Sequence, residues 1–252
     1  MNERRKPIWI SHRGDCKTFT ENTSLAFEQA VKSGFTHLET DLRITKDNHI
    51  VLCHDPSFKR LGGPPNPIVE MTKKEVQKIT LQCGQHPIFF DDFINRFAGC
   101  AWVFDFKPEW GHRTIAAFTN WVKKKKAQEW IYNQAKFLFW TTSQEKQFIQ
   151  DFPMAHLYAQ KNECWRAGIC ALFGWKKFAG IKANRTYALP PLFVNKSMYQ
   201  DDIVKFYHSL GAKIVAFLPK NSYHVSKALA VKVDEILFDH DLLMSPQVKE
   251  ML

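Results

Sequence analysis

The 252 residues of this chain predict an α/β fold built on a parallel sheet. Three observations carry that reading. Short strand-like apolar runs alternate with helix-like segments along the sequence, the pattern of βα units on a parallel sheet. The length suits one large domain, since barrels of about 250 residues commonly form one. The composition, 45% hydrophobic and 24% charged, belongs to a chain that folds around a core. It excludes dominant intrinsic disorder and a disulfide-stapled miniprotein.

Ile8-Trp9-Ile10 reads as the first strand, with His12-Arg13-Gly14 at its C-terminal end. Residues 24–33 read as a helix: Phe27, Ala30 and Val31 fall on one face, Asn22 and Thr23 are the candidate caps, and Gly34 is the stop. Residues 35–44 form a second strand, in which Leu38 and Leu42 oppose Glu39 and Asp41. After the turn Lys46-Asp47-Asn48, a third extended run, Ile50-Val51-Leu52-Cys53, ends at His54. The rhythm then breaks. Residues 55–100 hold Gly62-Gly63-Pro64-Pro65 and short helical patterns near 73–79 and 91–97, and they read as an insertion within a single domain, 1–252. Strands resume at 102–107, with Pro108 as a stop, and follow at 137–140, 156–159, 179–183, 213–218 and 235–238. There is no low-complexity linker and no repeat of fixed period.

The net charge of +10 suits phosphate-bearing partners. Four of the positive charges form the block Lys123-Lys124-Lys125-Lys126, which reads as a solvated helix face, with weak membrane-surface contact as the alternative. No apolar run approaches the roughly 20 residues of a membrane span, so no transmembrane segment is expected. The opening residues reach His12 without a hydrophobic leader region. The six cysteines (16, 53, 83, 100, 164 and 170) include no Cys-x-x-Cys pair, which speaks against a zinc site or a disulfide framework. A cytoplasmic location is the expectation.

Glu39-x-Asp41 is the sharpest local feature. Strand side chains alternate faces, so both carboxylates project the same way, about 6–7 Å apart along the strand. On an inner face they would repel unless a cation or a proton lay between them. Oxygen ligands of this kind select Mg²⁺ or Ca²⁺; two exposed acids on an edge strand would look the same. Asp105-x-Lys107 repeats the spacing on another strand, with Trp102, Phe104 and Phe106 on the opposite face. It suits a third carboxylate with a phosphate-directed cation, or a salt bridge at a strand end. His12-Arg13 and His54-Asp55 each close a predicted strand, at the face that carries active sites in (β/α)₈ barrels. Two imidazoles there suit a general acid and a general base, and the planar fork of Arg13 suits phosphate oxygens.

These residues resemble the glycerophosphodiester phosphodiesterase family. The likeness runs from His12-Arg13-Gly14 through Glu21-Asn22-Thr23, Phe27, Ala30, Gly34, Glu39-x-Asp41, Asp47 and Val51 to His54-Asp55. Asp105-Phe106-Lys107 falls at the family's acidic-x-Lys strand, and Val233 to Asp239 resembles its closing strand. The resemblance implies a (β/α)₈ TIM barrel with a small insertion after the second barrel strand. It implies one divalent cation, Mg²⁺ or Ca²⁺, on Glu39, Asp41 and Asp105. His12 and His54 become the acid–base pair, and Arg13 and Lys107 contact the phosphate. Three positions depart from the family pattern: Asp105 stands where Glu is usual, Thr20 where Pro is usual, and Phe217-Leu218-Pro219-Lys220-Asn221 where a Trp-Thr-Val-Asn segment is usual.

The implied activity is metal-dependent hydrolysis of a small glycerophosphodiester to glycerol 3-phosphate and an alcohol, with no nucleic-acid partner. The same chemistry on lipid substrates, as in a lysophospholipase D or a sphingomyelinase D-like enzyme, is the alternative. A non-enzymatic module that binds phosphate or a membrane surface would have no use for two poised histidines. The oligomeric state and the leaving alcohol are not legible.

Overall fold

The computed structural model describes residues 6–239, so the charged residues 1–5 that bear on the leader expectation lie outside the described part, as do residues 240–252. Strands and helices alternate along the chain. The strands are β1 (Ile8–His12), β2 (His37–Ile44), β3 (Ile50–Leu52), β4 (Ala101–Phe106), β5 (Ala135–Phe139), β6 (His156–Tyr158), β7 (Arg185–Leu189), the short β8 (Leu192–Phe193) and β9 (Lys196–Ser197), β10 (Lys213–Phe217) and β11 (Glu235–Phe238). The α-helices are α1 (Ser24–Lys32), α2 (Lys73–Val76), α3 (Phe90–Arg96), α4 (Gly111–Lys125), α5 (Gln128–Gln134), α6 (Thr142–Asp151), α7 (Lys161–Leu172), α8 (Asp201–Ser209) and α9 (Ser222–Ala230). The chain divides into two compact units: Ser11–His156, and Met1–Ile10 with Leu157–Leu252 as far as these are described.

In the unit Ser11–His156, β2, β4 and β5 run parallel, and β3 pairs antiparallel with β2. The period of two divides β4 cleanly. Trp102, Phe104 and Phe106 turn to the helices, where Phe104 meets Phe90 of α3 at 5.5 Å between ring centroids and Phe106 meets Phe118 of α4 at 5.4 Å. Phe137 of β5 and Phe148 of α6 extend this aromatic layer at 4.6 Å. Apolar side chains thus fill the space between sheet and helices, and the polar ones are left for the other face.

Helix α1 is capped by Thr23, whose side chain accepts from the Ala26 N–H, and it buries Ala26, Phe27 and Ala30. Val31, expected on the same face, is exposed. Asn22 is not a cap; its side chain goes elsewhere, as described below. Residues 55–100 add short 3₁₀ turns, α2 and α3. Phe58, Leu61, Ile68, Val76 and Phe89 join Val51 in a buried cluster there. Phe90, Phe93 and Phe97 are buried, and Phe93 packs on Phe27 of α1 at 4.7 Å, as a helix packing face should. The lysine block closes α4: Lys123 to Lys125 form its last turn and Lys126 its cap, all exposed. Their charge suits the carbonyl end of the helix dipole.

In the other unit β6, β7, β10 and β11 run parallel. The strand expected at 179–183 is not there. Gly180 takes a φ of 60° and Asn184 one of 59°, so the extended run begins only at Arg185, where Thr186, Tyr187 and Leu189 are buried. Among the described residues no helix is long and apolar enough to cross a membrane.

Candidate active site

Glu39 and Asp41 leave β2 on the same side. The parallel register sets Asp41 directly beside Asp105 of β4. The three buried side chains offer carboxylate oxygens within 4.8 Å of one another. Such crowding of like charge must be answered, and two cations answer it in part. Lys107 Nζ lies 2.6 Å from Asp41 Oδ1 and 2.6 Å from Asp105 Oδ2, and Arg13 Nε lies 3.0 Å from Asp41 Oδ2. The Asn22 amide donates to Asp41 Oδ2 at 2.9 Å.

The protonation states follow from these contacts. Burial opposes ionisation of Asp41, but Lys107 and Arg13 outweigh it and hold the carboxyl well below the usual range. Burial also raises the Asp105 carboxyl, and the charge of Lys107 offsets this only in part. The Lys107 ammonium resists its own burial because Asp105 and Asp41 face it, and its pKa stands above the ordinary value. Glu39 is the loose member. Burial first, and then the charge of Asp41, push it up to about 8. Its Oε2 is buried without a hydrogen bond, and His12 Nε2 stands 3.9 Å away. An orphaned carboxylate oxygen among hard oxygen donors fits a divalent cation of the Mg²⁺ or Ca²⁺ type.

His12 is the last residue of β1, and the chain turns sharply after it. Arg13 takes a φ of 57° and Gly14 one of 82°. The Arg13 N–H donates to Glu39 O at 3.1 Å, and its carbonyl accepts from Asn22 N at 3.0 Å. His54 follows β3, where the Cys53 N–H reaches Asp41 O at 3.1 Å. Arg43, two residues beyond Asp41 on the same face, donates twice to the His54 carbonyl, at 3.0 and 2.6 Å.

Six of the seven sequence-predicted residues therefore meet directly: His12, Arg13, Glu39, Asp41, Asp105 and Lys107. His54 joins them through a chain of ion pairs. Its Nδ1 is 2.7 Å from Asp55 Oδ1; Asp55 accepts from Arg60 Nε at 2.5 Å; Arg60 donates to both oxygens of Glu21, at 3.0 and 2.7 Å; and Glu21 faces Arg13 at 3.4 Å. Partial burial opposes the Asp55 charge, but the hydrogen bonds from Arg60 and His54 keep its carboxyl below the ordinary value. An ionised Asp55 only accepts, so Nδ1 of His54 is the donor of this contact and Nε2 is turned away from it.

Four contributors were not singled out as site residues from the sequence. Asn22, read as a cap, is buried with a φ of 55° and accepts from Thr40 Oγ1 at 2.7 Å while it serves Asp41. Trp140, one residue past β5, donates from Nε1 to Asp105 Oδ1 at 2.7 Å, and its ring lies 5.5 Å from Lys107 Nζ. Its place at a strand's C-terminal end was the available signal. Arg43 was legible only as the next member of the row after Glu39 and Asp41. Nothing local marks Arg60, whose partner Glu21 lies 39 residues away.

Three strand-borne carboxylates thus gather with His12, Arg13 and Lys107 on alternating β and α elements. Solved structures with the same fold include the glycerophosphoryl diester phosphodiesterase domain of a Mycobacterium tuberculosis protein, with a TM-score of 0.79 at 13% identity over 97% of this chain and 99% of that one. The glycerophosphodiester phosphodiesterase of Agrobacterium tumefaciens matches with a TM-score of 0.70 at 15% identity, over 92% of this chain and 96% of that one. The fold is the expected (β/α)₈ TIM barrel. The chain belongs to the glycerophosphoryl diester phosphodiesterase family, whose model matches residues 12–242. Among curated relatives, a glycerophosphodiester phosphodiesterase of Caldanaerobacter subterraneus is 36% identical over 74 residues, 29% of this chain and 30% of the relative. A human lysophospholipase D is 50% identical over 54 residues, 21% of this chain and 17% of the relative. The chain thus spans less than a third of the length of either relative in these matches.

Proposed function

We propose that residues 1–252 form one cytoplasmic phosphodiesterase domain, with 55–100 as an insertion, that hydrolyses glycerophosphodiesters to glycerol 3-phosphate and an alcohol. The observation that carries this reading is the set of three buried carboxylates within 4.8 Å of one another, with His12 beside Glu39. Glu39, Asp41 and Asp105 would hold one divalent cation, Mg²⁺ or Ca²⁺, which when bound supplies a Lewis acid for a phosphoryl oxygen. Arg13 and Lys107 bind the phosphate. An ammonium has three donors, and Lys107 spends two on Asp41 and Asp105, which leaves one for a substrate oxygen. Both cations then stabilise the negative charge that develops on the phosphoryl oxygens.

His12 and His54 share the proton transfers. One takes the proton of the attacking hydroxyl, from water or from the glycerol itself, as that oxygen bonds to phosphorus. The other protonates the alcohol oxygen as its bond to phosphorus breaks. Asp55 keeps the His54 proton on Nδ1, so that Nε2 does this work.

Lysophospholipase D activity is the second reading, favoured by the 50% identity to the human enzyme over 54 residues. Mass spectrometry of products from a panel of glycerophosphodiesters and lysophospholipids, with Mg²⁺ or Ca²⁺, separates the two and reveals any cyclic phosphate. Chelation should abolish turnover and either ion should restore it. Full activity after exhaustive chelation and dialysis would remove the metal from the reading.

A further inference from the structure

The unit that contains α7 carries a surface that the proposed chemistry does not use. From Cys164 to Gln200 the chain has no Asp or Glu and six Lys or Arg, of which Lys182 and Arg185 pair with Glu163 and the other four are Arg166, Lys176, Lys177 and Lys196. The stretch that follows α7 leaves Trp175 and Phe178 59% and 75% exposed, beside the exposed Lys176 and Lys177. The hairpin of β8 and β9 adjoins it: Trp165 of α7 meets Phe193 at 5.0 Å between ring centroids, and Lys196 Nζ lies 4.9 Å from the ring of Phe173.

The hairpin tip is the telling detail. Phe193 pairs with Lys196, so Val194 and Asn195 form a two-residue loop, with φ of 47° and 57°. Such loops favour Asn-Gly, since both central residues sit at positive φ. A β-branched side chain resists that backbone. Yet Val194 is held there 68% exposed, where packing asks nothing of it. Strain kept at an exposed position points to a use for the side chain.

We propose that this surface docks on an anionic lipid bilayer. Trp and Phe suit the headgroup level, Leu192 and Val194 suit the acyl boundary below it, and the lysines meet anionic headgroups. A second copy of the chain is a poorer occupant, because a two-fold contact would set this positive face against itself. Nucleic acid would leave the aliphatic tip unused.

The test is co-sedimentation of the full chain with vesicles of phosphatidylcholine alone and of phosphatidylcholine with phosphatidylglycerol. Binding to the mixed vesicles, weaker in high salt, is expected. Lys176→Ala and Lys177→Ala should each weaken it about fivefold. Val194→Asn gives the turn a residue it favours, so the melting temperature should hold or rise while vesicle binding falls severalfold. Turnover of glycerophosphocholine should not change, and because binding is read without turnover, the two proposals fail separately. No binding to the mixed vesicles, equal binding to the neutral ones, undiminished binding by Val194→Asn, or a dimer that Val194→Asn dissociates would overturn the assignment.

Discussion

Glu39 is the side chain on which metal, pH and stability meet. Its carboxyl is raised from 4.5 to about 8, first by burial and then by Asp41. Folded, it keeps a proton that the unfolded chain gives up near the ordinary value. Its contribution to stability without metal is therefore fully present below about pH 4.5 and is lost as pH rises through about 8. A cation needs the carboxylate, so its binding displaces that proton and strengthens with pH. Thermal melts should show a larger gain on adding Mg²⁺ or Ca²⁺ at about pH 8 than at about pH 6. Glu39→Gln should flatten the metal-free pH slope and abolish the gain. An unchanged slope in that variant would remove Glu39 from this role. The histidines are tested by rate instead. His12→Ala and His54→Ala should each lower kcat by about 10²–10⁴. His112→Ala should be close to neutral, because His112 lies on α4 and bonds Gln147 and Ser143 rather than the cluster.

The turn from β1 into α1 shows why His12-Arg13-Gly14 was readable. A Cβ on Gly14 would sit 2.6 Å from the backbone of Ala26 and 2.7 Å from its Cβ, on a backbone with φ of 82°. Only glycine lets α1 come this close while Arg13 turns to Asp41. Gly14→Ala should therefore cost roughly 2–4 kcal/mol, from overpacking and backbone strain together, and chemical denaturation measures it. The rows on β2 and β4 were readable for a related reason: the period of two in a strand is enough by itself to put Glu39 with Asp41, and Asp105 with Lys107. What local pattern could not supply was the partnership between distant segments. The His54–Asp55–Arg60–Glu21–Arg13 chain depends on residues 55–100 folding back onto the β1–α1 turn. The strand expected at 179–183 falls instead at Arg185–Leu189, because the positive φ of Gly180 and of Asn184 breaks the earlier run, which no local pattern announces.

Legibility thus followed the motifs. The unit Ser11–His156 holds all seven predicted site residues, and the other unit was visible mostly as rhythm, with Val233 to Asp239 as its one motif. The 21 Phe of the chain were ambiguous in the same way, as aromatic content serves a core and a lipid site alike. Phe89, Phe90, Phe93 and Phe97 are buried in the core of their unit, so they offer no acyl-chain funnel beside His54. The similarity to the human lysophospholipase D extends over only 54 residues, too short a stretch to define an acyl pocket. Water-soluble diesters such as glycerophosphocholine should therefore be turned over in preference to their acylated forms. The measurement is kcat/KM for glycerophosphocholine and lysophosphatidylcholine side by side, without vesicles, so that membrane docking does not concentrate one substrate. A clear preference for the acylated substrate would move the assignment to lysophospholipase D. The comparison repeated with mixed vesicles, on the parent chain and on Val194→Asn, would then report whether the docking surface, rather than the site, selects the lipid.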